Sequence, residues 1–148
     1  MRIIVDADAC PGRDIIEMVA KEKEIEVIMF CDLNHILRSE YSSIRYVDSG
    51  FQSVDMAVAN ESKKEDIVIT QDYGVAAMCL AKGAFAISPR GNIYDDENID
   101  RLLFERHIAQ KVRRGGGKGK GANHKKRNSE DDERLERNLR KIVYREAI

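Results

Sequence analysis

A chain of 148 residues, 43% hydrophobic and 34% charged, has room for one cored domain with appendages and not for two. No apolar run approaches the roughly 20 residues of a membrane span, and the start "MRIIVDAD" lacks the basic and apolar regions of a signal peptide, so the sequence predicts a cytoplasmic protein with no membrane contact. The net charge of -1 hides a division: residues 1–110 carry 12 Lys/Arg against 20 Asp/Glu, residues 111–128 carry 8 cations and no acid, and residues 129–148 carry 5 against 6.

In chain order, "RIIV" (2–5) is a short apolar run ending at Asp6, as in a strand buried on both faces. Pro11 suits the first turn of a helix whose Ile15, Ile16, Val19 and Ala20 share one face. "IEVIMFC" (25–31) and "SIRYV" (43–47) read as strands ending at Asp32 and Asp48, and Val54, Ala57 and Val58 give a short helical face. "DIVIT" (66–70) is the clearest strand; Gln71 and Asp72 follow it, then an Ala-rich helix over 73–83 closed by Gly83. "AFAI" (84–87) is a fifth strand, and a helix from about Glu97 to Arg114 carries Ile99, Leu102, Leu103 and Ile108.

Strands alternating with helices require parallel crossovers, so the expected fold is α/β, a three-layer α/β/α sandwich with a mostly parallel sheet over residues 1–114. Residues 115–128, within "RRGGGKGKGANHKKRN", are a basic Gly/Lys-rich segment that builds no core. Residues 129–148 form an amphipathic helix, with Ser129 as its expected cap and Leu135, Leu139, Ile142 and Val143 as a stripe that docks back on the domain. Cys10, Cys31 and Cys79 lie far apart without a CxxC pair, which reads as buried thiols in a reducing compartment. His35, His107 and His124 lack any metal-site spacing and are expected at the surface.

Ligands of such sheets gather at the carboxyl ends of the strands. Four of the five expected strands run into aspartate, at Asp6, Asp32, Asp48 and Asp72, and two of these should be ordinary turn residues. Parallel topology brings the first and fourth strand ends to one edge, so Asp6, Asp8 and Asp72 can converge, and Asp55 at the next helix start points the same way. An all-oxygen set suits a hard cation, Mg2+ or Mn2+. Such an ion can activate water and clamp a phosphodiester, which makes Asp6 and Asp72 the candidate catalytic groups and Asp6, Asp8, Asp55 and Asp72 the candidate ligands.

"VDADACP", "GF" with Asp55 close behind, "DIVITQDYGVA", "SPRGNIYDDENI" and a late "GKG" before a charged helix together resemble the YaiI/YqxD family of small bacterial proteins over nearly the whole chain. That resemblance implies a PIN-like domain, a group in which many members are metal-dependent ribonucleases with an acidic pocket at the carboxyl edge of the sheet. It implies Asp6, Asp8, Asp55 and Asp72 as the pocket; Gln52 stands where the family often carries an acid. Around the pocket, Thr70 either contacts substrate or is an ordinary strand residue. Tyr73 either stacks a base or packs, and Arg90 either grips phosphate or pairs with Asp95 or Asp96. Lys118 and Lys120 are candidate guides for a polyanion, or members of a solvated connector.

Three functions fit. The first is a divalent-metal-dependent nuclease acting on RNA or single-stranded nucleic acid. The second is a non-catalytic RNA-binding or assembly module on the same scaffold. The third is a haloacid-dehalogenase-type phosphatase with Asp6 as nucleophile and Asp8 as acid/base, for which Asp95 and Asp96 lie too far past "AFAI" to fit well. A homo-oligomer is compatible with all three.

Overall fold

The computed structural model describes residues 1–48, 50–114 and 126–145. Six strands, β1 (Ile3–Asp6), β2 (Val27–Asp32), β3 (Ser43–Val47), β4 (Ile67–Ile69), β5 (Phe85–Ile87) and β6 (Ile93–Tyr94), form one sheet in the order β3-β2-β1-β4-β5-β6. All pairings are parallel except β5 with β6. The helices are α1 (Arg13–Glu22), α2 (Val54–Glu61), α3 (Tyr73–Ala81), α4 (Asp96–Arg114) and α5 (Ser129–Val143). The fold is therefore the mostly parallel α/β sandwich that the alternation of elements predicts. No helix among the described residues is long and apolar enough to cross a membrane.

Alternate strand residues feed opposite layers. Ile3, Val5, Val27, Met29, Ile67, Ile69 and Ile87 pack with the apolar faces of α1 and α5. Ile4, Ile28, Phe30 and Val68 pack with α2 and α3 on the other side. Burial on both faces is why β1 and β4 read as unbroken apolar runs instead of alternating ones. The crossover β1–α1–β2 runs toward one edge of the sheet and β4–α3–β5 toward the other, so the right-handed rule sends α1 and α3 to opposite faces.

β6 is absent from the sequence expectation because two residues carry no periodicity, and it pairs antiparallel after the tight turn at Gly91. The cap of α5 is Asn128, not Ser129: its side chain accepts the Asp131 N–H while the Asp131 carboxylate accepts the Asn128 N–H, a reciprocal capping box. Ile108 is 43% exposed, because α4 buries Ile99 and half-buries Leu102 and Leu103, leaving Ile108 on the outer side. Most of the basic segment, with Lys118 and Lys120, lies outside the described residues.

Helix α5 docks through a fully buried apolar stripe against α1 and one face of the sheet. Leu135, Leu139 and Ile142 are at most 1% exposed, and each such side chain contributes about 1.5–3 kcal/mol of burial. Leu135 packs against glycines from two loops, its side chain at Gly12 and its backbone at Gly91. A Cβ on Gly12 would stand 2.4 Å from Leu135 Cδ2, and one on Gly91 would stand 2.3 Å from the Leu135 nitrogen. The residues 89–91 carbonyls are received one by one: Arg127 donates to Pro89 (2.6 Å), Arg134 to Arg90 (3.2 Å) and Asn138 to Gly91 (2.7 Å).

Gly91 also has φ +88°, a conformation that a side chain strains. Gly91→Ala should therefore destabilise the protein by at least roughly 3 kcal/mol, since helix backbone cannot yield as a side chain can. Urea unfolding of the two proteins checks this, and a loss below 1 kcal/mol, an order-of-magnitude threshold of about one ordinary substitution, would contradict the close approach.

Candidate acidic site at the carboxyl edge

The strand order reverses between β1 and β4, the point at which open α/β sheets leave a crevice beyond their carboxyl ends. Asp6 closes β1 and Asp72 follows β4, so the two flank that crevice. Asp55 enters from above on the first turn of α2, which Ser53 caps by accepting the Met56 N–H (3.2 Å). Three carboxylates thus arrive from three elements. Asp55 lies within hydrogen-bonding reach of both Asp6 and Asp72.

Burial, together with the charges of Asp55 and Asp8 and the hydrogen bond with Asp55, pushes the Asp6 carboxyl up to about 6; the Asp8 backbone N–H partly offsets this. Burial and the charge of Asp72 push Asp55 upward as well. Both shifts have the sign expected when like charges share a partly dry site, and such groups titrate as a unit.

Asp72 is also the cap of α3: its Oδ1 accepts the Val75 N–H at 3.0 Å. Its own N–H donates to the Thr70 hydroxyl at 3.0 Å. Thr70 is fully buried and its carbonyl accepts from the Tyr94 hydroxyl, so it holds the loop that aims Asp72. Asp8 sits at the rim. Its Oδ1 accepts the Asp32 N–H (2.9 Å) and lies 3.2 Å from His35 Nδ1, while its charge reaches Asp6 and Asp55. Asp32 and Asp48 are the two turn residues, accepting from the Asn34 and Gly50 N–H groups.

Arg90 stands 3.6 Å from Asp131 of α5, and Tyr73 packs edge-on against Tyr94 with ring centroids 6.0 Å apart. Two further neighbours of the site are not among the residues the sequence picks out. Arg106 reaches Asp72 from α4 at 3.9 Å, and only its place on the Ile99/Leu102/Leu103 side of that helix marks it as facing inward. His35 joins Asp8 through the loop after β2, which carries no periodicity at all. Cys10, Cys31 and Cys79 are all buried, and burial pushes the Cys10 thiol up to about 11.

Among the described residues, no three His, Cys, Asp or Glu side chains stand as a ready-made metal cage. The donors present are all oxygens, which fit a hard cation that keeps several waters and takes only one or two carboxylates. Asp6 and Asp72 on either side of the crevice, with Asp55 between them, are the residues that would hold it.

The family model described as "Uncharacterized BCR, YaiI/YqxD family" matches residues 4–145. A UPF0178 protein of Clostridium novyi is 64% identical over 143 residues, covering 97% of this chain and 95% of that one. A UPF0178 protein of Clostridium acetobutylicum is 52% identical over 148 residues, covering both chains fully. Among solved structures, Rae1 (YacP) from Bacillus subtilis aligns with a TM-score of 0.45 and 20% identity, covering 77% of this chain and 83% of that one.

Because the native Asp6 carboxyl is raised, its proton stabilises the fold fully below the ordinary aspartate value of 3.8, and that contribution is lost as pH rises through about 6. At neutral pH an ionised Asp6 is pressed against Asp55. Asp6→Asn in metal-free buffer at pH 7 should therefore raise unfolding free energy by about 1–2 kcal/mol and flatten stability between about pH 4 and 7. Calorimetric melting across that range checks both effects, and an asparagine variant no more stable than wild type at pH 7 would contradict the clustering.

Proposed function

The chain belongs to the YaiI/YqxD family, and from the acidic crevice that its fold builds we propose that it is a divalent-metal-dependent nuclease acting on RNA or single-stranded nucleic acid. The observation that carries this reading is the meeting of Asp6, Asp55 and Asp72, from three elements, at the switch point of a parallel sheet. Carboxylates drawn together in this way repel one another, and a cation sharing the site relieves that repulsion. When bound, Mg2+ or Mn2+ supplies a water of lowered pKa and offsets charge on the phosphodiester.

The chain's own groups have separable tasks in this reading. Asp6 closes β1 and Asp72 follows the adjacent β4, so the two flank the crevice. Asp55 stands between them, its carboxyl raised above the ordinary aspartate range by burial and the charge of Asp72. Arg106, 3.9 Å from Asp72, places a cation at the rim where a phosphate enters. The eight cations of residues 111–128 offset an acidic body that by itself repels phosphate. A protein held this way need not read base sequence.

Cleavage of single-stranded and structured RNA with Mn2+ tests the reading. Asp6→Asn and Asp72→Asn should each lower the rate roughly 100-fold or more. Asparagine also caps helices well, so Asp72→Asn leaves α3 intact. Mn2+ at a hundredfold excess over Kd should stabilise the wild type by about 2.7 kcal/mol, and Asp72→Asn should remove most of that gain. RNA bound without cleavage, and with an equal response to Mn2+ in both proteins, would replace the nuclease by a non-catalytic RNA-binding module.

The charge division gives a separate expectation. If about half of the eight cations contact phosphate, the logarithm of affinity should fall against the logarithm of salt with a slope near -3. Replacing Lys118, Lys120, Lys125 and Lys126 by glutamine should flatten the slope and leave the melting temperature nearly unchanged. A salt-independent affinity, measured by fluorescence anisotropy, would remove nucleic acid as the partner of this segment.

A further inference from the structure

Beside the acidic crevice lies a cleft of about 540 Å³, within the size range of small-ligand sites, roughly 300–1,000 Å³. Tyr73, the residue after Asp72, forms one wall, and the loop after β5 supplies Arg90 and Asn92. Arg101 of α4 and Asn138 of α5 close the cleft. Its chemistry is the reverse of the neighbouring crevice. Residues 1–110 carry an excess of eight acids, yet no residue lining this cleft is acidic and two are arginines.

The aromatic wall is firmly backed. Tyr94 is 5% exposed, its hydroxyl donates to the Thr70 carbonyl at 3.2 Å, and its ring meets that of half-buried Tyr73 at 71°. Asn138 is held in place by its 2.7 Å bond to the Gly91 carbonyl. Arg101 has one long contact with Glu105 (3.9 Å) and an exposed side chain, so its guanidinium can turn to an anion at small cost. A flat face, an anchored amide and a mobile cation, in a lining that holds no carboxylate, together select a planar heterocycle carrying an anionic group.

We infer that this cleft is a nucleotide subsite, which receives the base and phosphate of the nucleotide adjoining the one whose phosphate lies at the carboxylates. This rests on the nuclease reading above for its place along a strand. Tyr73 stacks the base, Asn92 and Asn138 meet its polar edge, and Arg101 holds the phosphate. The short step from Asp72 to Tyr73 sets the spacing between the two sites, so the cleft positions a strand whose next phosphate falls at the crevice.

Binding of nucleoside 5′-monophosphates to the full-length protein in EDTA, followed by NMR and calorimetry, tests this without any cleavage. Tyr73→Leu should weaken both AMP and adenosine, by about fivefold or more. Arg101→Gln, at an exposed position that the fold tolerates, should weaken AMP by about fivefold and leave adenosine unchanged. Wild-type affinity for AMP in both variants, or no saturable binding, overturns the subsite, even if RNA is still cleaved. Binding with these dependences in a protein that cleaves no RNA supports the subsite and removes only the nuclease reading.

Discussion

Leu135 passes between two glycines, and much of the molecule depends on that passage. The residue is fully buried, with its side chain against Gly12 and its backbone so close to Gly91 that no β-carbon fits there. Gly12 ends the loop that leaves β1, and Gly91 sits in the loop that leaves β5. One leucine therefore fixes two of the loops on the carboxyl edge. The donors flanking it, Arg127, Arg134 and Asn138, satisfy three successive carbonyls that would otherwise be left in a partly buried loop. A helix supplied by the end of the chain thus completes a surface built by its beginning and middle.

The second organising fact is electrostatic. Elsewhere the structure answers charge with charge: Arg2 bridges Glu61 and Asp66, and Arg140 bridges Glu22 and Glu136. At Asp66 burial pushes the carboxyl up, but the Arg2 hydrogen bonds, the Lys63 N–H and the Arg2 charge together hold it below its ordinary range. At Asp6 burial acts with the same sign, and the neighbours are carboxylates, so the group rises. The same physics gives opposite outcomes according to the partner. Arg106 is the one cation paired with the three-carboxylate cluster among the described ion pairs, at 3.9 Å and partly exposed, too weak a contact to balance it.

These two features divide the carboxyl edge into unlike neighbours. The crevice at the β1/β4 switch point gathers negative charge, whereas the cleft beyond Tyr73 excludes it. A polyanion lying across both would meet arginine and aromatic surface on one side and the carboxylates on the other. The basic segment joins α4 to α5, and its last described part, Arg127, is anchored on Pro89 at this edge.

The layers are legible in the chain's local patterns. Unbroken apolar runs such as "IIV" and "IVI" read as strands covered on both faces, and the Leu135/Leu139/Ile142 stripe reads as a helix that docks, because the pattern of apolar burial is local and needs no knowledge of the partner. The sequence also marked Asp6, Asp8, Asp55 and Asp72, since ligands of parallel sheets gather where strands end and the next helices start. It did not distinguish Asp6, in the crevice, from Asp8, two residues on, whose oxygen goes to the Asp32 N–H; that depends on which way a short 3-10 turn faces. Nor could it show β6, Arg106 beside Asp72, His35 beside Asp8, or the cleft closed by Asn138. Each of these is a meeting of residues from different elements. Strand order and helix docking decide such meetings, and those are set by the sum of long-range packing, which no single stretch of chain encodes.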